Sequence, residues 1–158
     1  MFTKQFEIRW SDMDANQHLG NSTYIDYLSH TRMSFFKEMG MGMETMNTYG
    51  LGPVALYEHI YYFREILIGK PITVSLEVKG YSEDGRFVEI EHNFYDAEGK
   101  NLAYSEMLFS FIDIKTRKLG NVPEEVLKII HKFPKAKDFK ILTKEDTRKF
   151  GKRPVDLH

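Results

Sequence analysis

Between Ile72 and Ile114 the sequence lays down three strands in succession. Ile72, Val74, Leu76 and Val78 alternate with Thr73, Ser75, Glu77 and Lys79, which is the two-residue period of a strand covered on one face. SEDGR then leads into Phe87 to Tyr95, and DAEGK into Leu102 to Ile114. Short acidic turns carrying glycine join neighbouring antiparallel strands, so this region predicts a meander. Upstream, Val54 to Phe63 follows Pro53 and is rich in aromatic and branched residues, as a strand would be. Phe2, Phe6, Ile8 and Trp10 share one parity and predict a first strand from Phe2 to Trp10. A single long helical pattern interrupts this order: Tyr24, Leu28, Phe35 and Met39, with Ile25 and Phe36 beside them, recur at helical spacing. Asn21 or Ser22 can cap that helix and Gly40 stops it. One helix placed after the first of about five strands predicts an α+β layer, a curved antiparallel sheet wrapped around one long central helix.

The chain of 158 residues suits one such domain, over residues 1–133, followed by a tail. Asn121, Pro123, Glu124 and Glu125 form a helix start, with Val126, Ile129, Ile130 and Phe133 on its apolar side. From Pro134 to His158 there are eight Lys/Arg against four Asp/Glu, a modest excess that reads as a solvated basic tail. Met41 to Gly52 holds methionines at 41, 43 and 46, and reads either as a mobile lid or as a loop resting on the core. A formal net charge of −1 supplies no general attraction for nucleic acid or a membrane surface, so charge recognition must be local. With no cysteine there is no disulfide, thiolate metal site or cysteine nucleophile. No apolar run approaches the roughly 18 residues of a membrane span, and the amino terminus lacks a signal-like apolar stretch. A soluble, cytoplasmic protein is expected.

The chemistry concentrates in WSDMDANQHLGNSTY, Trp10 to Tyr24. Two carboxylates (Asp12, Asp14), an amide (Asn16) and an imidazole (His18) stand just before the long helix, whose first N–H groups are unpaired and favour a developing anion. A carboxylate base beside such an end is a hydrolase arrangement. A calcium loop of the EF-hand type begins with the same alternation, but Gln17 stands where glycine is needed and Thr23 where a bidentate glutamate belongs. A phosphotransferase pair of aspartates would follow a fully buried parallel strand, and this first strand has one polar face. Neither a Gly-x-Ser-x-Gly elbow nor a His-Glu-x-x-His helix occurs, which leaves a carboxylate or histidine mechanism.

RWSDMDANQHLGNSTY, Arg9 to Tyr24, resembles the active-site segment of the hotdog-fold acyl thioesterases, the 4-hydroxybenzoyl-CoA thioesterase family and the related acyl-carrier-protein thioesterases. The likeness extends through the long helix, the Gly-Pro entry to the second strand, the Tyr-Tyr-Phe-Arg-Glu segment and the meander, over residues 2–133. It implies hydrolysis of acyl-CoA or acyl-carrier-protein thioesters without metal or redox cofactor, in a homodimer or homotetramer whose site lies at a subunit interface. Asp14 is implied as the catalytic carboxylate, Asn16 and His18 as its companions, and Glu65 as the downstream glutamate. At Gly20 the chain departs from relatives with two successive asparagines, which leaves Asn21 as the orienting amide. The backbone of Asn21, Ser22, Thr23 and Tyr24 would receive the oxyanion, Tyr24 could shape the acyl site, and Tyr57 and His59 could line the pocket or serve packing. A non-catalytic acyl-binding or interaction module of the same fold is the alternative.

Overall fold

The structure is a computed structural model and describes residues 1–157. β1 (Phe2–Phe6) leads through the polar loop into α1 (Asn21–Glu38). A short helix α2 (Met43–Thr48) follows, then β2 (Leu51–Tyr62), β3 (Ile72–Ser82), β4 (Phe87–Tyr95), β5 (Asn101–Asp113), α3 (Glu124–His131) and β6 (Lys135–Leu142). The sheet runs β1-β3-β4-β5-β2, every pair antiparallel, and β6 adds to β3 in parallel. This is the hotdog arrangement, a curved sheet wrapped on one long helix. Ile72, Val74, Leu76 and Val78 of β3 are all buried and pack with residues of α1, as the alternation predicts, while Ser75 on the opposite parity is buried as well.

The core has two lobes along α1. One surrounds Phe35 and Phe36, and draws in Phe109, Phe111, Val126, Ile130 and Phe133. The other lies under the polar loop and joins Leu19, Tyr24, Tyr27 and Leu28 to Ile66, Val74, Phe94 and Leu102. The polar loop is thereby bolted to the core by one of its own residues, Leu19.

Two expectations need correction, and one choice between readings is decided. The first strand stops at Phe6, not Trp10, because the Arg9 N–H donates to the Asp12 carboxylate at 2.8 Å and turns Trp10–Asp12 into a single 3-10 turn. Trp10 consequently faces solvent. Of the two readings of Met41–Gly52, the structure supports the segment resting on the core rather than the lid: Met43–Thr48 folds as α2, Leu51 and Gly52 open β2, and Met41 and Met46 are buried in the first lobe. The basic tail is also not merely solvated, since Lys135–Leu142 forms β6 against the outer side of β3, where β1 covers Ile72–Leu76 and β6 covers Val78–Ser82.

Gly80 permits that last contact. A Cβ there would lie 2.7 Å from the Lys140 carbonyl oxygen and 2.8 Å from Leu142 Cδ2, so Gly80→Ala forces β6 away from β3. A loss of about 2 kcal/mol is expected from this overpacking, together with faster tryptic cleavage at Lys137 and Lys140. Unchanged stability and unchanged cleavage would contradict the placement of β6. Among the described residues no helix is long and apolar enough to cross a membrane.

Candidate active site

The loop before α1 is a closed bracket. Met13 and Leu19 form an antiparallel bridge, the Asp14 N–H donates to the His18 carbonyl at 2.9 Å, and the Gln17 N–H donates to the Asp14 carbonyl at 3.1 Å. Gln17 takes the left-handed conformation that so tight a turn demands, φ 66°. Gly20, not Asn21 or Ser22, is the helix cap. Having no side chain, it covers none of the first-turn N–H groups. A Cβ at Gly20 would lie 3.8 Å from Cβ of Asp14, which places that carboxylate beside the helix opening.

The two aspartates have different fates. Asp12 is 3% exposed. Its carboxylate accepts from the Arg9 backbone, from Arg9 Nη2 at 2.8 Å and from the Tyr27 hydroxyl at 2.5 Å. Burial alone would raise its pKa; the hydrogen bonds from Arg9 and Tyr27 outweigh burial and hold it below the ordinary carboxylate value. Asp14 has no such cage. Its Oδ1 accepts the Asn16 N–H at 2.8 Å, its Oδ2 lies 3.4 Å from His18 Nδ1, and a third of its side chain reaches solvent. Asp12 is therefore committed to structure, and Asp14 is the carboxylate left available.

Glu65 stands three residues beyond β2, and the core brings it to the loop. Leu19 and Ile66 are both buried, and the Leu19 N–H donates to the Ile66 carbonyl at 2.8 Å, so their neighbours His18 and Glu65 come to one cleft. That cleft, about 230 Å³, is walled by His18, Leu19, Asn21, Tyr24, Tyr62 and the Phe63–Glu65 segment. Glu65 also borders a second cleft of about 320 Å³ reaching Leu67, Ile68 and Leu102. Among the described residues Glu65 makes no ion pair with Arg64. The Tyr24 ring meets Tyr62 edge-on at 4.9 Å, and burial, then the charges of Tyr62 and Asp14, push its hydroxyl up to about 12.

Two suggested pocket residues lie elsewhere. Glu58 faces the helix, where its carboxylate accepts from Arg32 at 2.6 Å, so the flanking Tyr57 and His59 must face the other side of the sheet. There the Tyr57 hydroxyl donates to Glu89 at 3.1 Å and Phe150 stacks on His59 at 3.8 Å. Both serve packing under the C-terminal segment. Thr23 also needs revision: its hydroxyl donates to the Asp12 carbonyl at 3.2 Å and its N–H to the Gly20 carbonyl at 3.0 Å. The uncommitted helix-end amides are those of Asn21 and Ser22. The Arg9, Asp12 and Tyr27 cluster and the buried Arg32 were invisible in the sequence, where nothing in the spacing links their partners. Among the described residues no three His, Cys, Asp or Glu side chains are grouped so as to hold a metal ion.

Residues 8–130 match the model of the thioesterase-like superfamily. The chain belongs to that superfamily. Solved structures agree on the fold of this superfamily member. A hypothetical protein of Staphylococcus aureus, solved in complex with CoA, superposes with a TM-score of 0.78 at 19% identity over 99% of this chain and 95% of its own. A probable thioesterase of Escherichia coli, YbaW, gives 0.73 at 20% identity over 85% of this chain and all of its own. A 1,4-dihydroxy-2-naphthoyl-CoA thioesterase of Synechocystis gives 0.72 at 16% identity over 83% of this chain and 96% of its own. No curated protein sequence matches the chain.

Proposed function

We propose that this superfamily member hydrolyses acyl thioesters of CoA or of an acyl carrier protein to the free acid and thiol, with Asp14 as general base or direct nucleophile. The observation that carries the reading is an uncaged, partly exposed carboxylate beside an uncapped helix end, with its neighbour His18 and the helix residue Asn21 both lining the adjoining cleft. A thioester carbonyl over that end can direct its developing oxyanion at the Asn21 and Ser22 amides, each such donor being worth about 3 kcal/mol. Asp14 either takes a proton from water as the water attacks the carbonyl, or itself adds to the carbonyl and expels the thiolate, leaving an anhydride that water then opens to the free acid and the Asp14 carboxylate. Asn16, through its backbone bond, and His18, through its ring, fix the Asp14 side chain, and Glu65, which shares a cleft with His18, would orient water. Tyr24, Tyr62 and Phe63 offer an apolar wall to the acyl group. The CoA bound to the Staphylococcus aureus structure and the CoA thioester named for the Synechocystis enzyme favour CoA as carrier.

The working unit in this reading is a homodimer or a tetramer built from it. β2 is a free edge of twelve residues, and Leu56, Tyr61, Tyr62 and Phe63 on or beside it are exposed. A long apolar edge of this kind is left uncovered in few soluble proteins. Sedimentation is expected to show at least a dimer, and an active monomer would contradict the interface.

The test of the activity is thiol release from a panel of acyl-CoA and acyl-carrier-protein thioesters across chain lengths, aliphatic and aromatic. Stoichiometric acid and thiol from some member are expected. Binding of these ligands without release from any member would instead identify an acyl-binding module.

A further inference from the structure

The Asp12 cage has a geometry that stability alone does not require. Its carboxylate is tied to Tyr27, well inside α1, and to Arg9 at the end of the preceding segment. Its carbonyl accepts from the Gly20 N–H at 2.9 Å and from the Thr23 hydroxyl, both at the mouth of the helix. One residue thus grips α1 at two heights while standing two positions from Asp14. The Tyr27 ring is held in turn by Phe6 of β1, centroid to centroid 4.6 Å. A well-packed apolar residue would anchor a loop as firmly as a buried, paired carboxylate. Directed bonds to a carboxylate add something that packing lacks: they fix the azimuth of the loop as well as its depth.

We infer that Arg9, Asp12 and Tyr27 are positioning residues, a clamp that sets the Asp14 carboxylate against the Asn21 and Ser22 amides of α1. The inference rests on the proposed role of Asp14. None of the three touches the cleft that holds Glu65 and His18; they act through the bracket from Met13 to Leu19. Displacement of a reacting group by about 1 Å can cost on the order of 100-fold in rate. A hinge error at Asp12 is passed directly to Asp14.

Tyr27→Phe removes the hydroxyl and keeps the ring on Phe6. Its kcat on the best acyl-CoA is expected to fall roughly 10- to 100-fold while KM stays within about twofold, measured well below the Tm of the variant. Hydrogen exchange at the Asp14 and Gly20 amides should quicken while β3 and β4 stay protected. Arg9→Met, at a mostly exposed side chain, should change both readings the same way but less. Val126→Ala, in the far lobe, supplies a variant of lowered stability for which kcat and the two amides should not change. Wild-type kcat and protection in Tyr27→Phe would overturn the clamp, as would losses that merely follow the drop in Tm shown by Val126→Ala. If the wild type cleaves no thioester, the functional reading fails by itself, and exchange at Asp14 and Gly20 still decides whether the clamp exists.

Discussion

Under the proposed mechanism Asp14→Asn is expected to lower kcat by roughly 10²- to 10⁴-fold, the range for removal of a positioned base or nucleophile, which corresponds to about 3 to 5 kcal/mol of lost transition-state stabilisation. The fold should not notice the change. The Asn16 N–H that donates to Asp14 Oδ1 at 2.8 Å finds an amide oxygen in the same place, and the partly solvated side chain has no buried partner to orphan. A Tm within about 1 °C of wild type is the expected result, surface changes of this kind costing under about 0.5 kcal/mol. The same substitution at Asp12 behaves in the opposite way: Asp12→Asn cannot accept from both Arg9 and Tyr27 as the carboxylate does, so its first effect is on stability. Comparison of the pair separates the carboxylate proposed to react from the structural one. Steady-state kinetics and thermal melts of the two variants on one acyl-CoA check it.

Acidification is expected to destabilise the protein through His92. This ring is fully buried; its Nδ1–H donates to the Ser75 carbonyl at 2.8 Å and its Nε2 has no partner among the described residues. Burial first, then the nearby Arg32 charge, depress its pKa to about 3, against a hydrogen bond to Ser75 that raises it. The unfolded chain regains an ordinary histidine near 6.5. Below that value the unfolded state binds a proton that the folded state refuses, so stability is lost as pH falls from about 6.5 towards 3, at about 1.4 kcal/mol per pH unit. Between pH 7 and 4.5 the loss amounts to about 2 to 3 kcal/mol. His92→Leu forfeits the Ser75 bond and starts less stable at pH 7, yet its stability should be nearly flat over the same range. Urea unfolding at several pH values compares the slopes. Equal slopes in both proteins would show that His92 is not the responsible group.

What could be read beforehand follows the reach of each interaction along the chain. The meander and α1 were legible because alternation and helical spacing are local records of which face is covered. The polar loop was legible because its residue types are rare together. Ile8 and Trp10 misled, since they keep the parity of β1 although an Arg9 to Asp12 bond has already turned the chain. Parity likewise placed Tyr57 and His59 on one face but could not say which; the Glu58 bond to Arg32, 26 residues away, decides it. Lys135–Leu142 looks like solvated tail because its pairing partner, β3, is more than fifty residues upstream. Asp12 and Tyr27 are fifteen residues apart, and only the wrapping of the loop on α1 reveals them as partners. Glu65 reaches His18 through a contact of the same long-range kind, between Leu19 and Ile66.

A single-turnover experiment bears most directly on the proposal that a free carboxylate at the mouth of α1 splits thioesters. Enzyme in excess over its best acyl-CoA is mixed rapidly and free thiol is followed, so that product release and substrate affinity drop out. Wild type should release one thiol per acyl-CoA in an exponential phase, and Asp14→Asn, shown by binding to be saturated with the same ligand, should release none on that timescale. An identical phase in both proteins would mean that the reacting group is not Asp14.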